Sequence, residues 1–90
     1  MRYILKNFGT SFATRARGAE LREDALAKAA GSAVQLDFSD VTNVSYSFAD
    51  EFVGKLSAAG VELEYINMAA PVERSVQRAV ARRTSAPVGC

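Results

Sequence analysis

The sequence predicts a small α/β domain of order βαβαβα, with a mainly parallel sheet and helices mostly on one face. Three observations lead there. Apolar and polar residues alternate in short stretches that recur between longer stretches rich in Ala, Leu, Glu and Arg. Strand and helix signals therefore alternate along the chain, which implies parallel strands joined by crossover helices. Third, the polar residues of the later strands (Gln35, Asp37, Glu62 and Glu64) all fall on one side of their strands. A parallel sheet covered on both faces would be apolar throughout, so one face is expected to stay open. Right-handed crossovers keep the helices together only when the strands advance in one direction across the sheet. A sheet this small, with free edges and a wet face, is expected to dimerise or to dock a partner.

The elements follow in order. Arg2–Phe8 is the first expected strand, stopped by Gly9. A helix follows from Ser11 or Thr14 to about Ala30, closed by Gly31, with Phe12, Ala16, Ala19, Ala25, Leu26 and Ala29 as its apolar face. Asp24 and Lys28 pair four residues apart on its wet side. Ala33–Phe38 is the clearest strand. After a polar turn, Ser47 is the expected N-cap of a second helix running to about Ala59, with Asp50 three residues on. Its inner face is Ala49, Phe52, Val53 and Leu56, with Phe48 at the edge, and Glu51 is expected to pair with Lys55 outside. Val61–Ile66 is the third strand. Pro71 opens a third helix to about Arg83 with Val72, Val76, Ala79 and Val80 inward. Residues 1–83 form one domain and 84–90 a frayed tail.

Composition excludes several classes of function. Ninety residues hold one domain, and 49% hydrophobic residues can build its core. Eleven basic and ten acidic residues leave a net charge of +1, with no whole-chain pull toward nucleic acid or an anionic membrane. The single cysteine is Cys90, so no internal disulfide forms. With neither an apolar run of about 20 residues nor a signal sequence, a cytoplasmic protein is expected. The chain has no histidine, which removes His-based zinc sites and Ser-His-Asp or Cys-His catalysis. No phosphate loop or dinucleotide fingerprint occurs. No enzyme, metal or cofactor is therefore expected. Asp37, Asp40, Asp50 and Glu51 suit magnesium by donor type, but turn capping, helix-dipole pairing and hydration account for them more simply. Arg74, Arg78 and Arg82, with Arg83 beside them, form a stripe on the third helix, and Arg15, Arg17 and Arg22 decorate the first. Without interleaved aromatics these read as solvated faces, and nucleic acid is not an expected partner.

Ser47 is the most informative residue. A phosphate on a serine at a helix N-terminus meets free backbone N–H groups and a favourable dipole. The segment around it, from Val34-Gln35-Leu36-Asp37-Phe38 through Ser47-Phe48-Ala49-Asp50-Glu51-Phe52, resembles the core of STAS-like domains. These are small bacterial regulatory proteins with a DF-x-x-V…SFADE segment, related to anti-sigma-factor antagonists. The likeness extends to Phe8-Gly9, Thr14-Arg15, Val61–Ile66 and the Pro71–Val80 helix. In classical antagonists a serine at this position is phosphorylated by an anti-sigma kinase, and the resemblance makes Ser47 the candidate phosphoacceptor. Here Ser45 stands for the family's aspartate and Phe48 for its glycine, Asp50 and Glu51 add negative charge, and a βα unit replaces an initial β-hairpin. The resemblance implies a non-enzymatic regulatory module. It would dock a signalling protein, such as a GHKL-type ATPase kinase, through the turn Val41–Ser47 and an exposed side of the second helix. The expected contact residues are Asn43, Ser45, Tyr46, Phe48, Asp50, Glu51 and Lys55. The alternatives are a small-ligand or nucleotide sensor at the carboxyl ends of the strands, near Asp37, Asn43 and Ser47, and a weak nucleic-acid binder using the arginine stripe.

Overall fold

The computed structural model describes residues 1–85, with side chains through Arg82. Strands β1 (Arg2–Ile4), β3 (Val34–Asp37) and β5 (Leu63–Ile66) form a parallel three-stranded sheet in the order β1-β3-β5. The strands advance in one direction, as the one-sided alternation requires. The register aligns Tyr3, Leu36 and Tyr65 in one row and Arg2, Gln35 and Glu64 in the next. The first row faces the helices. The second lies on the open face, where Gln35 Nε2 donates to Glu64 Oε1.

Three helices cover the other face. Helix α1 is Arg15–Ala29 and α3 is Ala70–Ser85. Helix α2 (46–58) is continuous, with α-helical turns at Tyr46–Ala49 and Lys55–Ala58 flanking a π-helical turn at Asp50–Gly54. All five residues of that turn are buried. A helix lying on a surface buries one stripe, whereas α2 is held between α1 and α3 and must present apolar or paired groups on several sides. The widened turn sends Asp50 and Glu51 toward α1 while Phe52 and Val53 remain fully in the core.

Two differences from the sequence reading shape the site. The first strand ends at Ile4 because the chain turns into a 3₁₀ segment, Leu5–Asn7, that drops Leu5 into the core. Phe8 then folds back to stack on Tyr3 at 5.4 Å. Beyond it, β2 (Ser11–Phe12) pairs in parallel with β4 (Asn43–Val44) in a ribbon of its own. Pairs this short leave no periodicity to read. A ladder of rings joins the two sheets through α2: Tyr3 meets Phe52 at 6.0 Å, Phe52 meets Phe48 at 5.5 Å, and Phe48 stacks on Phe12 at 4.8 Å.

The apolar face of α1 is rotated from the expected one. Gly18, Leu21, Ala25 and Ala29 are buried, while Ala16 is exposed and Leu26 is 41% exposed. The rotation follows from Gly18. A Cβ there would lie 2.9 Å from the Phe48 carbonyl oxygen and 3.0 Å from Glu51 Cβ, so only glycine lets the two helices approach this closely. Thr14, not Ser11, caps α1, accepting a hydrogen bond from the Arg17 amide at 3.2 Å. The expected inner faces of α2 and α3 hold: Ala49, Phe52, Val53, Leu56, Val72, Val76 and Ala79 are buried, and Val80 packs against them. Thr84 and Ser85 continue α3, and the remainder of the expected tail lies outside the described residues.

The close contact sets a test. Alanine is the better helix former by about 1 kcal/mol, so Gly18→Ala would stabilise an unconstrained helix. Here the clash with backbone forces the helices apart, and a net loss of about 1 to 2 kcal/mol in urea unfolding is expected. A gain in stability would contradict the packing.

Candidate functional site

The ribbon of β2 and β4 places the start of α2. The Thr42 amide donates to the Thr10 carbonyl at 2.8 Å and the Ser45 amide to that of Phe12 at 2.9 Å. Ser45 is the N-cap of α2: its Oγ accepts from the Phe48 amide at 3.1 Å and donates to the Ala13 carbonyl at 2.9 Å. This corrects the expectation that Ser47 is the cap. The cap must have extended backbone, and Ser45 has φ −75° and ψ 160° as it leaves β4. Ser47 lies instead in the first turn, half-buried, with its hydroxyl released from the capping role.

The predicted contact residues divide into two groups. Asn43 is exposed, with Nδ2 3.3 Å from Ser11 Oγ, and Ser45, Tyr46 and Ser47 are half-buried. The Arg78 guanidinium of α3 stands 5.7 Å from the Tyr46 ring centroid. Phe48, Asp50 and Glu51 are not on an exposed side of α2. Phe48 is fully buried against Phe12 and Phe52, and the two carboxylates are 7% and 6% exposed. The sandwiching of α2 turns that side inward. Lys55 is half-buried and does pair with Glu51, at 2.9 Å, but across this inner contact.

The carboxylates are held by an ion cluster that the sequence did not reveal. Arg15 Nη1 reaches Asp50 Oδ2 at 2.8 Å and Glu51 Oε1 at 3.1 Å. Arg22 Nη1 donates to Glu51 Oε2 and, at 2.8 Å, to the Glu51 carbonyl. Arg15 and Arg22 lie one turn to either side of Gly18, so the glycine and the clasp share one helix face. That spacing is visible in the sequence, but the acids that answer it are some 30 positions away. The hydrogen bond from Arg22, followed by those from Lys55 and Arg15, lowers the Glu51 carboxyl to about 2. Arg17 is also engaged, pairing with Glu20 at 3.0 Å and donating to the Phe8 carbonyl at 2.9 Å.

At the carboxyl end of β3, Asp37 is 6% exposed and does not face open water. Its Oδ1 accepts from the Ser39 amide at 2.9 Å and Asn67 Nδ2 at 3.1 Å, and Arg2 Nη2 stands 3.5 Å from its Oδ2; the hydrogen bonds, Ser39 foremost, and the nearby Arg2 charge lower its pKa. Asp40 pairs with Lys6 instead. Among the described residues no group of three or more His, Cys, Asp or Glu is arranged to hold a metal ion. Two clefts, of about 520 and 310 Å³, lie at the amino ends of the strands: one is lined by Met1, Gln35, Glu62 and Glu64, the other by Leu26, Gly31 and Gly60. Neither includes Asp37, Asn43 or Ser47, where a ligand pocket was expected. No described helix is long and apolar enough to cross a membrane.

A one-sided parallel sheet, with a strand leading through a serine-capped turn into a helix, defines a small α/β domain of STAS-like architecture. The family described as STAS-like domain of unknown function (DUF4325) matches residues 17–73, from the first turn of α1 to the first turn of α3, and the chain belongs to that family. No curated protein and no solved structure matches the chain.

The ion cluster fixes the sign of the acid response. Glu51 is held at about 2 against 4.5 when unperturbed, so its contribution is complete above pH 4.5 and is lost as pH falls toward 2. Asp37 and Asp24, also lowered, add in the same direction. Unfolding free energy is expected to decline across that window, and less steeply in Glu51→Gln. A Glu51→Gln profile parallel to that of the unaltered protein would remove Glu51 as a source of the slope.

Proposed function

We propose that the protein is a non-enzymatic regulatory module of a bacterial cytoplasm, docking a signalling protein at the start of α2. The supporting observation is the division of labour between two serines. Ser45 caps the helix and ties it to the ribbon, while Ser47, half-buried in the first turn, carries a hydroxyl that the cap does not require. A phosphate on Ser47 would sit at the positive end of α2. The nearby acids Asp50 and Glu51 are matched by Arg15, Arg22 and Lys55, which reduces the repulsion that their charges alone would impose on it.

The partner that this reading favours is a GHKL-type ATPase kinase, whose switch would be phosphorylation of Ser47. The docking surface is the accessible part of the turn: Asn43, Ser45, Tyr46 and Ser47. Phe48, Asp50 and Glu51 would act from beneath it by holding α2 in place. A homodimer through the free edges of β1 and β5 would leave this turn accessible.

Immobilised full-length chain, Tyr46→Ala and Ser47→Asp are to be compared by quantitative capture from native cells, followed by calorimetry with the captured partner. Either change is expected to weaken binding by roughly tenfold, an interfacial loss of about 1.4 kcal/mol. A partner held equally by all three would place its docking site elsewhere.

A further inference from the structure

Charge is shared unevenly between α3 and the rest of the molecule. Every described Lys or Arg before α3 lies in an ion pair: Arg2 with Asp37, Lys6 with Asp40, and the others with acids on α1 and α2. Arg74, Arg78 and Arg82 are exposed and make no salt bridge among the described residues. The near-zero net charge of the chain therefore conceals a local basic face. Four-residue spacing raises each arginine about 6 Å above the last and rotates it only slightly, giving one slanting row about 12 Å long.

Arg78 also connects this row to the start of α2, since its guanidinium stands over Tyr46, the residue before Ser47. Tyrosine and arginine are among the side chains that most often anchor protein interfaces. Contact with the ring holds Arg78 in a defined position, so less side-chain freedom is lost on binding. Between the arginines lie Ser75, half-buried, and exposed Gln77, both uncharged, while Glu73 precedes the row.

We propose that this face, formed by Arg74, Arg78, Arg82 and Tyr46, binds an acidic segment of the protein partner. The proposal rests on the interaction-module reading and supplies its partner chemistry. Carboxylates four residues apart on a helix repeat at about the same 6 Å rise and suit the planar donor fork of arginine. A nucleic acid fits less well. The described face offers three cations, equivalent to about three phosphates and a correspondingly shallow salt dependence. The Lys and Arg side chains before α3 are already paired, and Glu73 would repel a continuous polyanion.

The test uses the full chain with Gln77 replaced by p-benzoylphenylalanine, irradiated in native cells, and the cross-linked species mapped by mass spectrometry. A single protein cross-linked through a segment of clustered Asp and Glu is expected, with yield falling about tenfold when Arg74→Glu and Arg78→Glu are combined. Thermal melting of that double variant verifies that it remains folded. Cross-links to nucleic acid, to a second copy of the chain or to a segment without clustered acids would overturn the proposal, as would no cross-link or an undiminished yield. A partner lost by Ser47→Asp but indifferent to the arginine changes would remove the α3 face and leave the interaction module intact. Loss of neither would remove both.

Discussion

Gly18 lets α1 lie against α2 at backbone distance, and the rest of the architecture depends on that separation. The glycine sits under the Phe48 carbonyl, with Glu51 Cβ alongside. At this spacing Arg15 and Arg22 reach the buried acids of α2 and, with Lys55, neutralise their charge beneath the covering helix. Such charges are costly unless paired and hydrogen-bonded, and among the described residues every buried side-chain polar atom has a partner. Packing and electrostatics therefore reinforce each other: the glycine permits the pairing, and the pairing holds the helices at the distance the glycine permits.

The clasp also makes the start of α2 a firm platform. Ser45 ties the first turn to β2, Phe48 and Phe52 join the ring ladder, and the π turn anchors the middle of the helix between α1 and α3. What remains accessible is a compact corner made of Asn43, Tyr46, Ser47 and the arginine row of α3. A binding surface on such a platform loses little freedom when a partner arrives. Under the proposed switch, a charge added at Ser47 would fall in this corner, beside Tyr46.

Much of the fold was legible because it rests on periodicity. Val34, Leu36 and Phe38 revealed the central strand, and Phe52, Val53, Leu56, Val72, Val76 and Ala79 revealed the buried faces of two helices. The one-sided polarity of Gln35, Asp37 and Glu64 revealed the open sheet. The β2–β4 ribbon was hidden because paired strands of two residues contain no full period. The site was less legible. Ser45 and Ser47 are both acceptable caps in isolation, and only the extended conformation leaving β4 selects Ser45. Asp50 and Glu51 look like surface acids until α1 covers them, and the π turn that directs them inward has no composition signal. Arg15, Gly18 and Arg22 share a helix face by spacing alone, but their partners come from a distant part of the chain. Family resemblance located the turn, and tertiary contact decided which of its side chains face outward.

The most direct test of this account is a double-mutant cycle on Arg22 and Glu51, using Arg22→Met, Glu51→Gln and both together in equilibrium unfolding. A partly buried, hydrogen-bonded pair that sets the helix contact is expected to show a coupling energy of about 2 kcal/mol, largely kept at high salt. Additive effects, with a coupling below about 0.5 kcal/mol, would reduce the clasp to a surface ion pair and contradict its role in fixing α2.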